Sequence, residues 1–222
     1  MSSLRKEGYV HLQLNDGSIK PKNPDFLNYW NHLVTDGYIE GDHKFRQRRY
    51  SNIIFNRNSE IEYLSSTYFQ GERFNRLFGG QSRIFEKIDN NFLTDPSFIE
   101  LINYDFYFFL KHGLITSKEP NMGIHQIRTL TTAQNTGRVT PEGIHKDGHP
   151  FFAIHFINKS KITGGTTNIY DNNLKLIEEI NLSDFGESIF VVDTLVYHEV
   201  TDIKPLPGSD KGFRDVLIIE FY

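Results

Sequence analysis

Cysteine is missing altogether from this chain. Its absence excludes disulfides, thiolate metal sites and a cysteine nucleophile together, so a metal here has only nitrogen and oxygen ligands to draw on. Long apolar runs are also lacking. None approaches the roughly 18 residues a membrane span requires, and the opening MSSLRKEGYVHLQL has no stretch of signal-peptide length. The expected setting is therefore the cytoplasm, with no membrane partner. Positive charge is not in excess either. The chain has 24 Lys and Arg against 28 Asp and Glu, a net charge of -4, and no basic run that would follow a phosphate backbone. Nucleic acid is accordingly not an expected partner.

Aromatic residues are abundant: 19 Phe, 11 Tyr and one Trp within 222 residues. Rings at this density predict an interior packed with them, and they leave a homodimer open, since aromatic strands can bury a core or an interface. No linker rich in Gly, Ser or Pro divides the chain, so residues 1–222 read as a single domain, with 1–121 as mixed helical support and lid and 122–222 as a jelly-roll core. Asn23-Pro24 and Asp95-Pro96 each offer an N-cap followed by a first helical residue. They predict amphipathic helices over PDFLNYWNHLVTDG and PSFIELINYDFYFFLKHG. Between them, residues 43–56 read as a strand carrying Arg46, Arg48 and Arg49, either a solvated face or a contact for an anion. Residues 68–83 read as a loop.

From about residue 122 the pattern changes to short β-branched and aromatic runs: GIHQIRTLT, HPFFAIHFINKS, TTNIYD, LKLIEEINL, SIFVVDTLVYHEV and RDVLIIEFY, each bounded by turn residues. Six strands without intervening helices cannot form a doubly wound parallel sheet; they suit an antiparallel sandwich or jelly roll. The fold class expected is mostly β with N-terminal helices packed outside (α+β).

The chemistry concentrates in TPEGIHKDGHPFF. His145, Asp147 and His149 alternate, and alternate residues of an extended segment share a face. Three alternate positions span about 13 Å, too far for ligands about 2 Å from one ion unless the chain bends. His145 and Asp147 therefore look outward for a third ligand. His198, at the end of SIFVVDTLVYHEV, can supply it, and His149 is assigned to the wall. Two His and one carboxylate make the facial triad suited to Fe(II), with an open face for substrate oxidation. Sixteen residues beyond His198 comes Arg214. If the last strand runs back beside the one carrying His198, this arginine is buried in the same barrel and needs an anion that fits its planar fork. A small dicarboxylate chelating the metal at its other end, such as 2-oxoglutarate, meets both demands. Singly, each feature has a structural reading: a chance H-x-D, a core histidine, a surface Arg214–Asp215 pair. Their order within an all-strand half favours a site.

PEGIHKDGHPFF, INKSKITGGTTNIYD, DTLVYHEVTDI and GFRDVLIIEF resemble the bacterial iron(II)/2-oxoglutarate dioxygenases that hydroxylate free amino acids, typified by isoleucine dioxygenase. The likeness extends upstream to RQRRYSNIIF, YFQGERFNRLFGG and HQIRTL. It implies a double-stranded β-helix, with Fe(II) on His145, Asp147 and His198 and the distal carboxylate of 2-oxoglutarate on Arg214. It also implies O2 as cosubstrate and hydroxylation, since halogenating relatives lack the aspartate. Lys146 and Lys159 depart from the family's expected arginines. For a free aliphatic amino acid, Gln126 and Arg128 share one face of a strand. If that face is inward, Gln126 reaches 2-oxoglutarate and Arg128 the substrate; if it is outward, they are solvated. Tyr50 and Asn75 are further candidates for substrate contacts from the lid. The competing expectations are the same chemistry on a peptide or other small molecule, and a non-catalytic metal-binding cupin-like protein.

Overall fold

The computed structural model describes residues 3–14, 21–39, 44–56 and 58–222. In chain order its strands are β1 (Tyr9–Gln13), β2 (Val34–Thr35), β3 (Arg46–Phe55), β4 (Ile61–Ser65), β5 (Thr67–Phe69), β6 (Ser82–Ile84), β7 (Asn121–Thr132), β8 (Phe151–Ser160), β9 (Ile162–Gly164), β10 (Thr167–Tyr170), β11 (Leu176–Ile180), β12 (Glu187–Val191), β13 (Tyr197–Val200), β14 (Ile203–Pro205) and β15 (Lys211–Phe221). Among the described residues three α-helices accompany them: α1 (Ser3–Glu7), α2 (Asn90–Leu93) and α3 (Pro96–Lys111). The large sheet runs β1-β12-β8-β15-β7-β3-β2, with β4 also on β3. The small sheet runs β11-β10-β13. Their pairings are antiparallel, and the sheets face each other as a jelly roll.

Strand alternation sorts the core into two layers. On β8, Phe152, Ile154 and Phe156 point between the sheets and pack with Ile169 of β10, Ile189 of β12 and Val216 of β15. Phe151, Ala153 and Ile157 point the other way, into a larger cluster with Phe98, Ile102, Phe106 and Phe109 of α3. α3 forms as expected. Asp95 accepts from Ser97 N at 2.8 Å, Pro96 occupies the first turn, and the buried positions recur at helical spacing. A polar pin crosses this apolar layer, where Asp105 Oδ2 of α3 lies 2.8 Å from His155 Nε2 of β8 and His155 Nδ1 lies 2.7 Å from Ser188 Oγ.

Three elements differ from the sequence reading. The helix expected from Pro24 to Gly37 is only a 3-10 segment, Phe26–His32. Asp25 makes no capping bond, and the β-branched pair Val34–Thr35 instead extends to join Arg48 and Gln47. SIFVVDTLVYHEV is two strands, β12 and β13, separated by a turn at Val192–Leu195. The first half also gives more than support, since β1 and β3 are members of the large sheet. The strand expected over 43–56 begins at Arg46; His43 lies outside the described residues.

Candidate metal centre and its cavity

His145 and His198 are brought together by main chain before side chain. His145 N donates to His198 O at 2.9 Å and His198 N to His145 O at 3.0 Å, an antiparallel bridge between the loop after β7 and strand β13. Asp147 completes the group: its Oδ1 lies 3.4 Å from His145 Nε2 and its Oδ2 3.7 Å from His198 Nε2. One ligand atom from each residue falls within 4.8 Å of the others. Neighbouring corners of an octahedron with bonds of about 2.1 Å are about 3 Å apart, so a small inward movement would seat a divalent ion on one face. Gly143 O lies 2.9 Å from His145 Nδ1. That contact puts the proton on Nδ1 and leaves Nε2 as the donor to a metal.

The carboxylate and one neutral ring favour a cation, while His145 has to give up its Nε2 proton to the incoming ion. Burial pushes the Asp147 carboxyl up, but the neighbouring histidines outweigh it and hold the group well below the usual carboxylate range. Burial and the charge of His145 lower His198 to about 3, so it presents a neutral ring. Burial opposes protonation of His145 too, yet Asp147, Glu142 and the Gly143 carbonyl raise it to about 9.

His149 stays out of the group because the chain turns at Gly148, whose φ is +86°. Its Nε2 sits 3.4 Å from Glu220 Oε2 and its ring lies against Tyr222. The turn that splits β12 from β13 supplies a residue that sequence reasoning missed. Asp193 accepts from Asp147 N and Gly148 N, both at 2.9 Å, and so fixes the backbone that carries the carboxylate ligand. An Asp193→Ala protein is expected to lose metal affinity by roughly 10- to 100-fold, the usual cost of removing a group that orients ligands. Fe(II) titration checks this, and unchanged affinity would contradict it. Lys146 fastens the same loop from outside, donating to Thr194 O at 2.7 Å and Asn172 Oδ1 at 2.9 Å.

A cavity of about 100 Å³ runs from this group between the sheets. Arg214 lines it, 3% exposed, with a buried Nη2 that has no partner among the described residues. Burial lowers the guanidinium to about 10, although Asp215 partly offsets this. Its room comes from the TGG turn. A Cβ on Gly165, whose φ is +78°, would stand 3.1 Å from Arg214 Cδ. Lys159, paired with Arg214 across β8 and β15, is turned away and donates to Leu182 O.

The pleat corrects two expected contacts. The β7 residues that line the cavity are His125, Ile127 and Thr129, so Gln126 and Arg128 belong to the opposite face. Arg128 forms a fork with Asp215, at 2.7 and 2.8 Å, and reaches Asn31 of the 3-10 segment. Gln126 is buried without lining the cavity. Tyr50 faces inward, but its ring is spent on Tyr68 and His125 and its hydroxyl meets that of Tyr222 at 2.9 Å, so Tyr68 reaches the wall in its place. Asn75 does line the cavity, although its side chain is engaged by Leu77 N, Phe78 N and Gln70. Arg46 and Arg48 line it as well, whereas Arg49 points out to Lys87 O and His32 O. Gln70 and Arg83 are wall residues with no sequence pattern to mark them, and Glu142 of the PEG turn joins them.

A family model described as 2OG-Fe dioxygenase matches residues 27–220. L-isoleucine-4-hydroxylase of Bacillus thuringiensis is 32% identical over 88% of this chain and 80% of its own length. 3(1)-hydroxy-L-isoleucine 4-dioxygenase of Pantoea ananatis is 24% identical over 86% of the chain and 77% of its length. Among solved structures, a bsmA homologue from Methylobium petroleophilum superposes with a TM-score of 0.82 at 25% identity, covering 98% of this chain and 89% of that one.

Proposed function

Because the chain belongs to the 2OG-Fe dioxygenase family, an enzyme class that uses Fe(II), 2-oxoglutarate and O2, we propose that it hydroxylates a free aliphatic L-amino acid such as isoleucine or leucine. In this reading Fe(II) sits on His145, Asp147 and His198, and the distal carboxylate of 2-oxoglutarate sits on Arg214. The observation that carries it is the pairing, in one cavity, of an open two-His-one-carboxylate group with a buried guanidinium whose Nη2 has no partner among the described residues. When bound, iron and its cosubstrates supply the oxidising chemistry, and 2-oxoglutarate leaves as succinate and CO2. The chain's own share is to hold the ligand triad from one loop and one strand, to neutralise the distal carboxylate, and to exclude water with the apolar residues Ile127, Ile154, Val216 and Ile218. The two isoleucine-directed relatives support an aliphatic amino acid over a peptide.

Anaerobic addition of Fe(II) and 2-oxoglutarate is expected to give a weak visible charge-transfer band. Succinate formation, screened against the twenty free amino acids and a set of short peptides, is expected to rise with an aliphatic amino acid. Stimulation by peptides alone would overturn the substrate assignment, and a missing band would overturn the cofactor assignment.

A further inference from the structure

Arg214 accounts for one anion in the cavity, whose own acids are Glu142, Asp147 of the triad, and Glu220, already engaged by His125 and Tyr68. Arg46, Arg48 and Arg83 also line it; each is buried, and each has a buried Nε without a partner. They repel one another: burial and then the Arg48 charge lower Arg83 to about 10. On that wall Asp36 offers Arg48 only a 3.9 Å contact. Arg46 pairs with Thr129, which in turn pairs with Arg214, so Arg46 stands two strands from Arg214, about 10 Å away. A dicarboxylate stretched between the triad and Arg214 does not neutralise this second wall.

Arg83 is the arginine wired to the metal loop. Its Nη2 donates to Gln70 Oε1 at 2.8 Å, and Gln70 Nε2 donates to Asp147 O at 3.1 Å. Asn75 Nδ2 holds the same Gln70 oxygen at 3.1 Å. The loop between β5 and β6 that presents Gln70 and Asn75 is seated on the metal loop, where Phe74 fills the space a Cβ on Gly148 would need. Opposite charge lines the same cavity at Glu142, whose carboxylate acts on Arg46. Glu142 Oε1 lies 3.9 Å from His145 Nε2, while Oε2 is buried without a partner. Glu142 borders both this cavity and an outer cleft of about 680 Å³, so it stands where a ligand passes from solvent to the metal.

We propose that Arg83 and Glu142 clamp the two charged ends of a free α-amino acid. Arg83 takes the carboxylate, Glu142 takes the ammonium, and Arg46 and Arg48 supply the positive field behind Arg83. The inference rests on the amino acid hydroxylase reading and adds its recognition site. A zwitterion carries both charges within one small head group. Amidation removes the partner of Arg83, and N-acylation removes that of Glu142, leaving a buried charge unpaired in either case. The clamp therefore selects free amino acids over peptides and blocked derivatives.

The test uses the amino acid that stimulates succinate formation most strongly, with its carboxamide and N-acetyl derivative, on wild type and on the variants Arg83→Gln, Arg83→Lys and Glu142→Gln. Arg83→Gln and Glu142→Gln are expected to raise KM for the free amino acid roughly 10- to 100-fold, the loss of a charge-assisted hydrogen bond. Arg83→Lys is expected to recover part of that loss. Preference for the free amino acid over its N-acetyl form should shrink in Glu142→Gln, and preference over the carboxamide should shrink in Arg83→Gln. Affinity for 2-oxoglutarate, read from the charge-transfer band, should stay close to wild type, and affinity for Fe(II) should fall far less than the amino acid KM rises. An amino acid KM that does not move, or one matched by an equal loss of 2-oxoglutarate affinity or iron affinity, would overturn the clamp while leaving the hydroxylase reading intact. If no free amino acid stimulates wild type, that reading fails and the clamp fails with it.

Discussion

His198→Ala is expected to abolish Fe(II) binding at micromolar concentrations and with it all succinate formation, whereas His149→Ala is expected to bind iron nearly as well as wild type. The two histidines differ in what their rings face. His198 Nε2 converges with His145 and on Asp147, and its main chain is tied to His145 by two hydrogen bonds. His149 has been turned by Gly148 toward Glu220 and Tyr222. The loss at His198 should exceed the 10- to 100-fold typical of residues that only support ligands, because a facial group has three donors and the ion would keep two. Asp147→Ala is expected to be at least as severe, since it also removes the charge that makes the pocket attractive to a cation. Equal iron loss in His149→Ala and His198→Ala, measured by anaerobic titration, would mean that the chain binds metal through the H-x-D-x-H run instead.

Much of this site was legible because its elements are local. The H-x-D pair, the PEG turn before it and the strand run ending at His198 are short patterns whose chemistry does not depend on which way a sheet faces. Gln126 and Arg128 show where legibility stops. Period-2 alternation places them together on one face, but both faces of β7 are covered in its central part, one by the 3-10 segment and helical layer and the other by the cavity. Burial on both faces removes the polarity contrast that tells inside from outside. The same alternation divides RQRR, with Arg46 and Arg48 in the cavity and Arg49 on the outside. Neither the solvated face nor the anion contact describes all three. Asp193 was hidden for another reason. VVDTLVY reads as continuous strand, and the turn inside it is set by long-range bonds, in which the Asp193 carboxylate receives the amides of a loop more than forty residues earlier. Gln70 and Arg83 act through each other across a loop of irregular backbone, where neither helical nor strand spacing applies.

Arg214→Ala is expected to weaken 2-oxoglutarate binding by roughly 100-fold or more, the order of loss seen when one partner of a buried charge pair is removed, while Fe(II) affinity holds. Stability supplies an opposite and more diagnostic sign. In the free protein Arg214 is a buried cation with an unpartnered Nη2, and Asp215 on the outer face is already forked to Arg128. Desolvating such a group costs free energy that no counter-ion repays until ligand binds. Removing it should therefore leave the melting temperature of the ligand-free enzyme unchanged or raised, and should cancel the rise that 2-oxoglutarate gives wild type through linkage. A purely structural arginine would give the reverse, with lower stability and equal losses of iron and 2-oxoglutarate. Arg214→Lys refines the comparison: the ammonium keeps the charge but not the planar fork, so its affinity should fall between wild type and alanine. Thermal melts with and without 2-oxoglutarate, alongside the charge-transfer titration, separate electrostatic anchoring from bidentate recognition at this position.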